Sequence, residues 1–350
     1  MPDRPARDLP CPLLDACGAC EAMRLLEADQ LSARVAAVRR ATGRAPDRVV
    51  PSPRPLGYRA RVSLRVGPDG RLGYHRPRSH ELVLVPRCAI ARPEIDTVMQ
   101  ALPPFPAGVT EVELRTDGAR TVLVARRERR SDPDLERRVL DLGLHEITGL
   151  SAAQLGGRAL FGEPWISLSA GGVEHRVGPG VFYQVNLEVN ALLVEAVLEA
   201  VGGCAPSAVL DLYSGYGNLG LPLAARGIPV TLWESEEAAL ATARRTCLRL
   251  GLNAAAKAGD AARFRAGDAF FEVAIVDPPR EGAPGLLAQL VVTRPKRVAY
   301  VSCHPPSLAR DLRPALEAGY RLSHLAVFDM FPQTFHVETL AVLTRNDLAT

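Results

Sequence analysis

A cysteine at position 303 follows the apolar, β-branched run RVAYVS and stands one residue ahead of two prolines, in RVAYVSCHPPSLARDL (297–312). The run reads as a short buried strand and the prolines forbid its continuation, so the thiol should sit at a strand's carboxyl end. In an open parallel sheet that edge is where ligands bind, and a thiol there could be a nucleophile; alone, it would more commonly be a small buried hydrophobe. VDPPREG (276–282) ends another apolar run and puts Asp277 at the same kind of edge. LDLYSGYGNLGL (210–221) joins a strand to a helix through Gly215 and Gly217, where the backbone can approach a ligand closely. Glu234, closing the next strand, is placed to take two ribose hydroxyls, so a nucleotide-bearing cofactor is implied. Near the N-terminus Cys11, Cys17 and Cys20, spaced C-x5-C-x2-C, are close enough in sequence to ligate one metal centre, and Cys88 is the candidate fourth ligand. Four thiolates suit a [4Fe–4S] cluster or a tetrahedral zinc, which spacing alone does not separate. Cys204 and Cys247 read as packing residues.

Two kinds of element must position these groups. Over residues 57–125 the pairs YRARVSLRV/RLGYHR and VTEVELR/TVLVARR flank the turns GPDG and TDGA, and ELVLVPRC lies between the pairs. Each pair reads as strand, glycine-containing turn, strand, which predicts an antiparallel β-rich domain. An amphipathic helical run over 21–42 could pack on either half of the chain. After about Gly178 strands and helices alternate, which predicts a parallel sheet covered by helices on both faces. The last two strands, RLSHLAVFDM and HVETLAVLTR, have too short a connection for a crossover and should be antiparallel. The expected division is a β-rich, metal-carrying domain over 1–178 and an α/β domain over 179–350.

At 350 residues the chain suits two domains, with no apolar run long enough to span a membrane and no apolar core of a signal peptide at its start, so a cytoplasmic protein is expected. Residues 1–180 hold 27 arginines against 22 acidic residues, whereas the remainder holds 15 basic against 17 acidic. That asymmetry is compatible with a polyanionic partner, and ARRERR (125–130) is its densest point, although a charge run is usually only a solvated face.

With Cys303 after one strand, Asp-Pro-Pro-Arg after another, FYQVN at 182–186 and FDMFPQTFHVETLAVL near the end, the chain resembles the RNA uracil-5 methyltransferases over nearly its whole length. The Asp-x-x-x-Gly-x-Gly turn resembles the first motif of class I S-adenosylmethionine-dependent methyltransferases, whose Rossmann-like sheet ends in an antiparallel strand. Enzymes that methylate an exocyclic base amine share Asp-Pro-Pro but follow it with an aromatic residue, where this chain has Arg280, and RNA cytosine-5 methyltransferases carry a cysteine in this loop, where this chain has none. The resemblance implies that Cys303 adds to uracil carbon-6, that Glu338 removes the carbon-5 proton, and that Gln184 and Asp277 line the site. It implies that Tyr213, Asn218, Glu234 and Asp260 contact S-adenosylmethionine, and that Cys11, Cys17, Cys20 and Cys88 hold an iron–sulfur cluster. His304, Ser214, Leu219 and Asp260 depart from the family pattern, which usually has Asn, Cys, Phe and Asn at these places.

Carbon-5 of uracil is a poor nucleophile, and a thiolate added at carbon-6 makes it electron rich, which is what a cysteine offers this reaction. The shorter architecture, with ten residues ahead of Cys11 and without an extra N-terminal β-barrel, resembles the enzymes acting on 23S ribosomal RNA; transfer RNA is the alternative target. A monomer is expected. A different class of reading is a metal-stapled RNA-binding protein with a degenerate, non-catalytic methyltransferase domain.

Overall fold

The computed structural model describes residues 3–5, 8–128, 132–265, 267 and 270–348. Its larger sheet has eight strands, in the order Arg48–Val50, Tyr320–Phe328, Glu338–Arg345, Arg297–Ser302, Val273–Val276, Val209–Leu212, Val230–Glu234 and Ala254–Ala258. Every neighbouring pair is parallel except the two made by Glu338–Arg345, which runs antiparallel to both of its neighbours. Val209–Leu212 and Val273–Val276 are buried at every position, as strands covered on both faces should be. The order reverses between these two strands, which opens a crevice at their carboxyl ends.

Two strands of this sheet, Arg48–Val50 and Ala254–Ala258, have no counterpart in the sequence reading. Ala254–Ala258 has the sequence AAAKA and lies at the sheet's edge, half exposed, with neither the β-branched side chains nor the alternation that would mark it. The helix expected after the cofactor turn shrinks to Leu221–Ala224, because the chain turns again at Gly227, φ 84°.

The N-terminal region forms a seven-stranded sheet in the order Leu82–Leu84, Leu72–His75, Arg61–Val66, Val109–Thr116, Thr121–Arg127, Leu150–Leu155 and Arg158–Phe161. It is antiparallel except between Thr121–Arg127 and Leu150–Leu155, which pair in parallel because the helix Pro133–Leu140 lies in the crossover between them. A separate hairpin, Ile166–Ala170 with Val173–Val177, carries the chain towards the larger sheet.

A boundary near residue 178 does not follow the packing of the first fifty residues. Arg48–Val50 extends the larger sheet, and the helix Glu27–Thr42 packs against the helix Pro305–Glu317. Arg34 on the former is buried, pairs with Asp329 at 2.8 Å and donates to the carbonyl of Thr334. Gln30 exchanges hydrogen bonds with Gln333, whose backbone sits at φ 69°. The FPQT loop is thereby fixed by a helix from the other end of the sequence. Among the described residues no helix is long and apolar enough to cross a membrane.

Candidate active site

The carboxyl ends of the central strands open into a cavity of about 640 Å³. At one end the chain leaves Val209–Leu212 through Tyr213, which is held at φ 59°, a conformation unusual for a residue with a side chain. The two glycines that follow have different tasks. Gly215, φ 55°, lines the cavity, and a Cβ there would meet open space, so its bare backbone faces room for a ligand. Gly217, φ 88°, does not line it; a Cβ there would lie 2.6 Å from Cγ of Leu221, so this glycine serves the packing of the turn.

Glu234 ends its strand buried at the cavity wall, accepting from the Gly215 N–H at 2.8 Å and from the Glu236 N–H at 2.7 Å. Two backbone donors hold the carboxylate in one place, as recognition of a diol requires. Asn218 and Asn190 exchange amide hydrogen bonds at 3.0 and 2.8 Å, and the Tyr216 hydroxyl donates to Asn218 at 3.0 Å. Asp260 stands apart from the cavity lining and accepts from the Ala262 N–H at 2.9 Å; its charge joins burial in raising the Tyr213 phenol.

Cys303, Asp277 and Glu338 come together at the other end of the same cavity, whose lining also includes Gln184. Glu338 opens a strand that is paired on both sides, so its side chain is buried rather than facing water. Burial, and then the negative charges of Glu338 and Asp277, push the Cys303 thiol up to about 11, against the opposing pull of Arg280. Burial pushes Asp277 up to about 7. Glu338 is also raised well above the usual carboxylate range, by burial first and by Asp277 second. The resting site thus holds a protonated thiol beside two carboxyl groups that disfavour simultaneous ionisation. Such a pair can accept one proton and is reluctant to lose both.

Residues whose roles the sequence left unread hold this end in place. The carboxylate of Asp311 accepts from the Tyr300 hydroxyl at 2.6 Å and from the Ala283 N–H at 2.7 Å, tying the helix after Cys303 to the Asp-Pro-Pro-Arg loop. Ser307 adds a bond from its hydroxyl to the carbonyl of Arg280 at 3.2 Å. His304 caps that helix, its Nδ1 lying 2.7 Å from the Ser307 hydroxyl, so the departure from Asn replaces one capping side chain by another. Arg115, fully buried, donates to the carbonyls of Val181 and Gly178 on the approach to Gln184. Nothing in the local sequence around Arg115 signals this, because its partners lie more than 60 residues away.

Cys11, Cys17, Cys20 and Cys88 line a second cavity of about 210 Å³, together with Arg59, Arg61 and Arg87. Burial and the other cysteines push the Cys20 thiol up to about 12. Among the described residues no three histidine, cysteine, aspartate or glutamate side chains stand close enough to hold a single metal ion.

Residues 262–346 match the family model described as tRNA (Uracil-5-)-methyltransferase, and residues 173–292 match the methyltransferase small domain. The chain is 30% identical to the 23S rRNA (uracil(1939)-C(5))-methyltransferase RlmD of Salmonella typhimurium, over 98% of this chain and 83% of that protein. It belongs to the RNA uracil-5 methyltransferase family. The corresponding protein of Pseudomonas aeruginosa is 31% identical, over 95% of this chain and 79% of that one. The crystal structure of Pyrococcus abyssi tRNA (uracil-54, C5)-methyltransferase with S-adenosyl-L-homocysteine superposes with a TM-score of 0.76 at 26% identity, covering 93% of this chain and 85% of that one. This methyltransferase is therefore an S-adenosylmethionine-dependent enzyme of RNA, with the Rossmann-like fold and the β-rich region that its sequence suggested.

Proposed function

We propose that this enzyme methylates carbon-5 of a uridine in 23S ribosomal RNA through a covalent bond between Cys303 and uracil carbon-6. The observation that carries the reading is one cavity with Gly215 and Glu234 at one end and Cys303, Asp277 and Glu338 at the other. S-adenosylmethionine, when bound, supplies an electrophilic methyl group, and Tyr213, Gly215 and Glu234 are the residues that would hold it. As Cys303 Sγ bonds to carbon-6, its proton is lost to solvent and the carbon-5–carbon-6 π electrons move towards carbon-5 and the neighbouring carbonyl oxygen, which leaves the carboxyl pair free to accept one proton later. Once carbon-5 carries the methyl group, the Glu338 carboxylate takes the carbon-5 proton, the double bond re-forms and the carbon–sulfur bond breaks. Gln184 and Asp277 orient the base. The test is incubation with RNA containing 5-fluorouridine: fluorine cannot leave as a proton, so a catalyst becomes trapped on the RNA. Absence of a covalent species on a denaturing gel would favour a binding protein without catalysis.

Ribosomal RNA as target rests on the two relatives named for 23S rRNA, and implies work in the cytoplasm. Mapping 5-methyluridine in ribosomal and transfer RNA from a deletion strain distinguishes the two substrates. For the four cysteines the same reading assigns a [4Fe–4S] cluster that ties the N-terminal segment to the β-rich sheet. What supports it is an all-thiol donor set around one cavity, which a tetrahedral zinc would also suit.

A further inference from the structure

The sequence's densest basic stretch is not its strongest basic site. Arg126 pairs with Glu111 at 3.2 Å and Arg127 with Glu136 at 2.7 Å, and Arg129 and Arg130 lie outside the described residues. Arginines from three separate elements gather instead around Trp165. Arg120 and Arg176 lie over its ring at 4.3 and 4.7 Å, so two guanidinium groups pack on one indole. Arg176 is on the solvent face of Val173–Val177, whose side chains alternate buried and exposed. Arg245 and Arg249, four residues apart and so on one face of the helix Glu237–Leu250, complete an open pocket of about 390 Å³ with Trp165 and Arg176.

The local carboxylates are fewer. Glu163 accepts from the Trp165 indole N–H at 2.7 Å and Glu174 lies 3.9 Å from Arg249, while among the described residues Arg176 and Arg245 have no acidic partner within ion-pair distance. Cations that line one pocket repel one another in the free protein and favour an anion between them. The pocket's wall runs through Gly178 and Pro179, and the very next residue, Gly180, lines the active-site cavity.

We propose that the Trp165–Arg176–Arg245–Arg249 pocket is a phosphodiester subsite that holds the substrate RNA strand beside the active-site mouth. This rests on the RNA methyltransferase reading above and adds the place where the strand is gripped. Trp165 pre-positions Arg176 by cation–π contact, and Arg245 offers a second charge from the helix. Because the groups are charges and not base-edge readers, the subsite contributes affinity without sequence preference.

The test is fluorescence anisotropy of the intact protein with two labelled single-stranded RNAs of about 20 nucleotides, across a range of salt. One copies the 23S segment around the uridine named for the relatives and the other is unrelated. Each lost phosphate contact should lower the slope of log affinity against log salt by about 0.7, so R176A/R245A should weaken both RNAs about 25-fold at 0.1 M salt and converge with wild type as salt rises. R176K/R245K, which keeps both charges, should retain most of the affinity, and unchanged S-adenosylmethionine binding shows that the alanine variant is folded. If wild type methylates RNA and R176A/R245A keeps its affinity and slope, the subsite is wrong and the enzymatic reading stands. Loss confined to the 23S-derived RNA also overturns it, in favour of base readout. If wild type neither binds nor methylates RNA, both readings fall.

Discussion

The Tyr300 hydroxyl donates to Asp311 at 2.6 Å, joining the strand that leads to Cys303 with the helix that leaves it. The same carboxylate oxygen accepts the Ala283 N–H, so one buried charge fixes strand, helix and the Asp-Pro-Pro-Arg loop together. Gly282 passes so close that a Cβ there would lie 2.2 Å from this oxygen.

Asp311→Asn should therefore act on both stability and chemistry. An amide matches only part of the donor set, and leaving a buried donor unpaired costs about 1–3 kcal/mol. A lowered melting temperature, with covalent trapping on fluorouridine RNA slowed more than S-adenosylmethionine binding is weakened, is the expected result. Equal losses in both would make Asp311 a general core residue and not a positioning residue for the nucleophile.

Cys303→Ala and Glu338→Gln should fail at different points. Without the thiol no bond to carbon-6 forms, so methyl transfer is abolished while S-adenosylmethionine binding stays nearly intact. With Glu338→Gln attack and methylation proceed but the carbon-5 proton stays, and a slow-migrating RNA adduct should accumulate on a denaturing gel. Near-normal turnover by Cys303→Ala would sink the nucleophile; no adduct with Glu338→Gln would point to another base.

Much of this site was legible because each part sits at a local signal: a strand followed by Pro-Pro, a glycine turn, a carboxylate closing a strand. The alternation of strands and helices likewise predicted the parallel sheet, and the short last connection its antiparallel final pair. What stayed hidden depends on contacts distant in sequence. Arg34 reaching Asp329, Arg115 reaching Gly178 and Arg48–Val50 pairing with 326–328 leave no periodicity to read. The different tasks of Gly215 and Gly217 depend on what stands opposite each, which spacing does not encode.

Asp277 links activity to stability through pH. Burial raises its carboxyl from 3.8 to about 7, so between those values the folded protein binds more proton than the unfolded chain. Stability therefore falls as pH rises through this window. Asp277→Asn removes the buried charge, and its melting temperature should exceed that of wild type at pH 8 and approach it near pH 4. Activity should move the other way, rising in wild type as the carboxyl pair loses a proton near neutral pH and being largely lost in the variant. Melting curves for both proteins across this range check the argument; parallel curves would mean that Asp277 is solvated and its proton affinity ordinary.

The four cysteines yield a prediction that separates a staple from a catalytic part. Three of them lie within ten residues, and Cys88 belongs to the β-rich half, its N–H held by Asp96 at 3.0 Å. A group bound by all four would fasten the N-terminal segment to that half, and its binding free energy would become folding free energy. Anaerobically purified protein should be brown, with about four irons and four sulfides per chain. Cys88→Ser should bleach it and lower the stability of the β-rich sheet to proteolysis. S-adenosylmethionine binding should largely survive, because Gly215 and Glu234 stand on a different sheet with a core of its own. Colourless anaerobic protein carrying one zinc would replace the cluster by a zinc staple, with the cysteines drawing together on binding, and would leave the chemistry at Cys303 untouched.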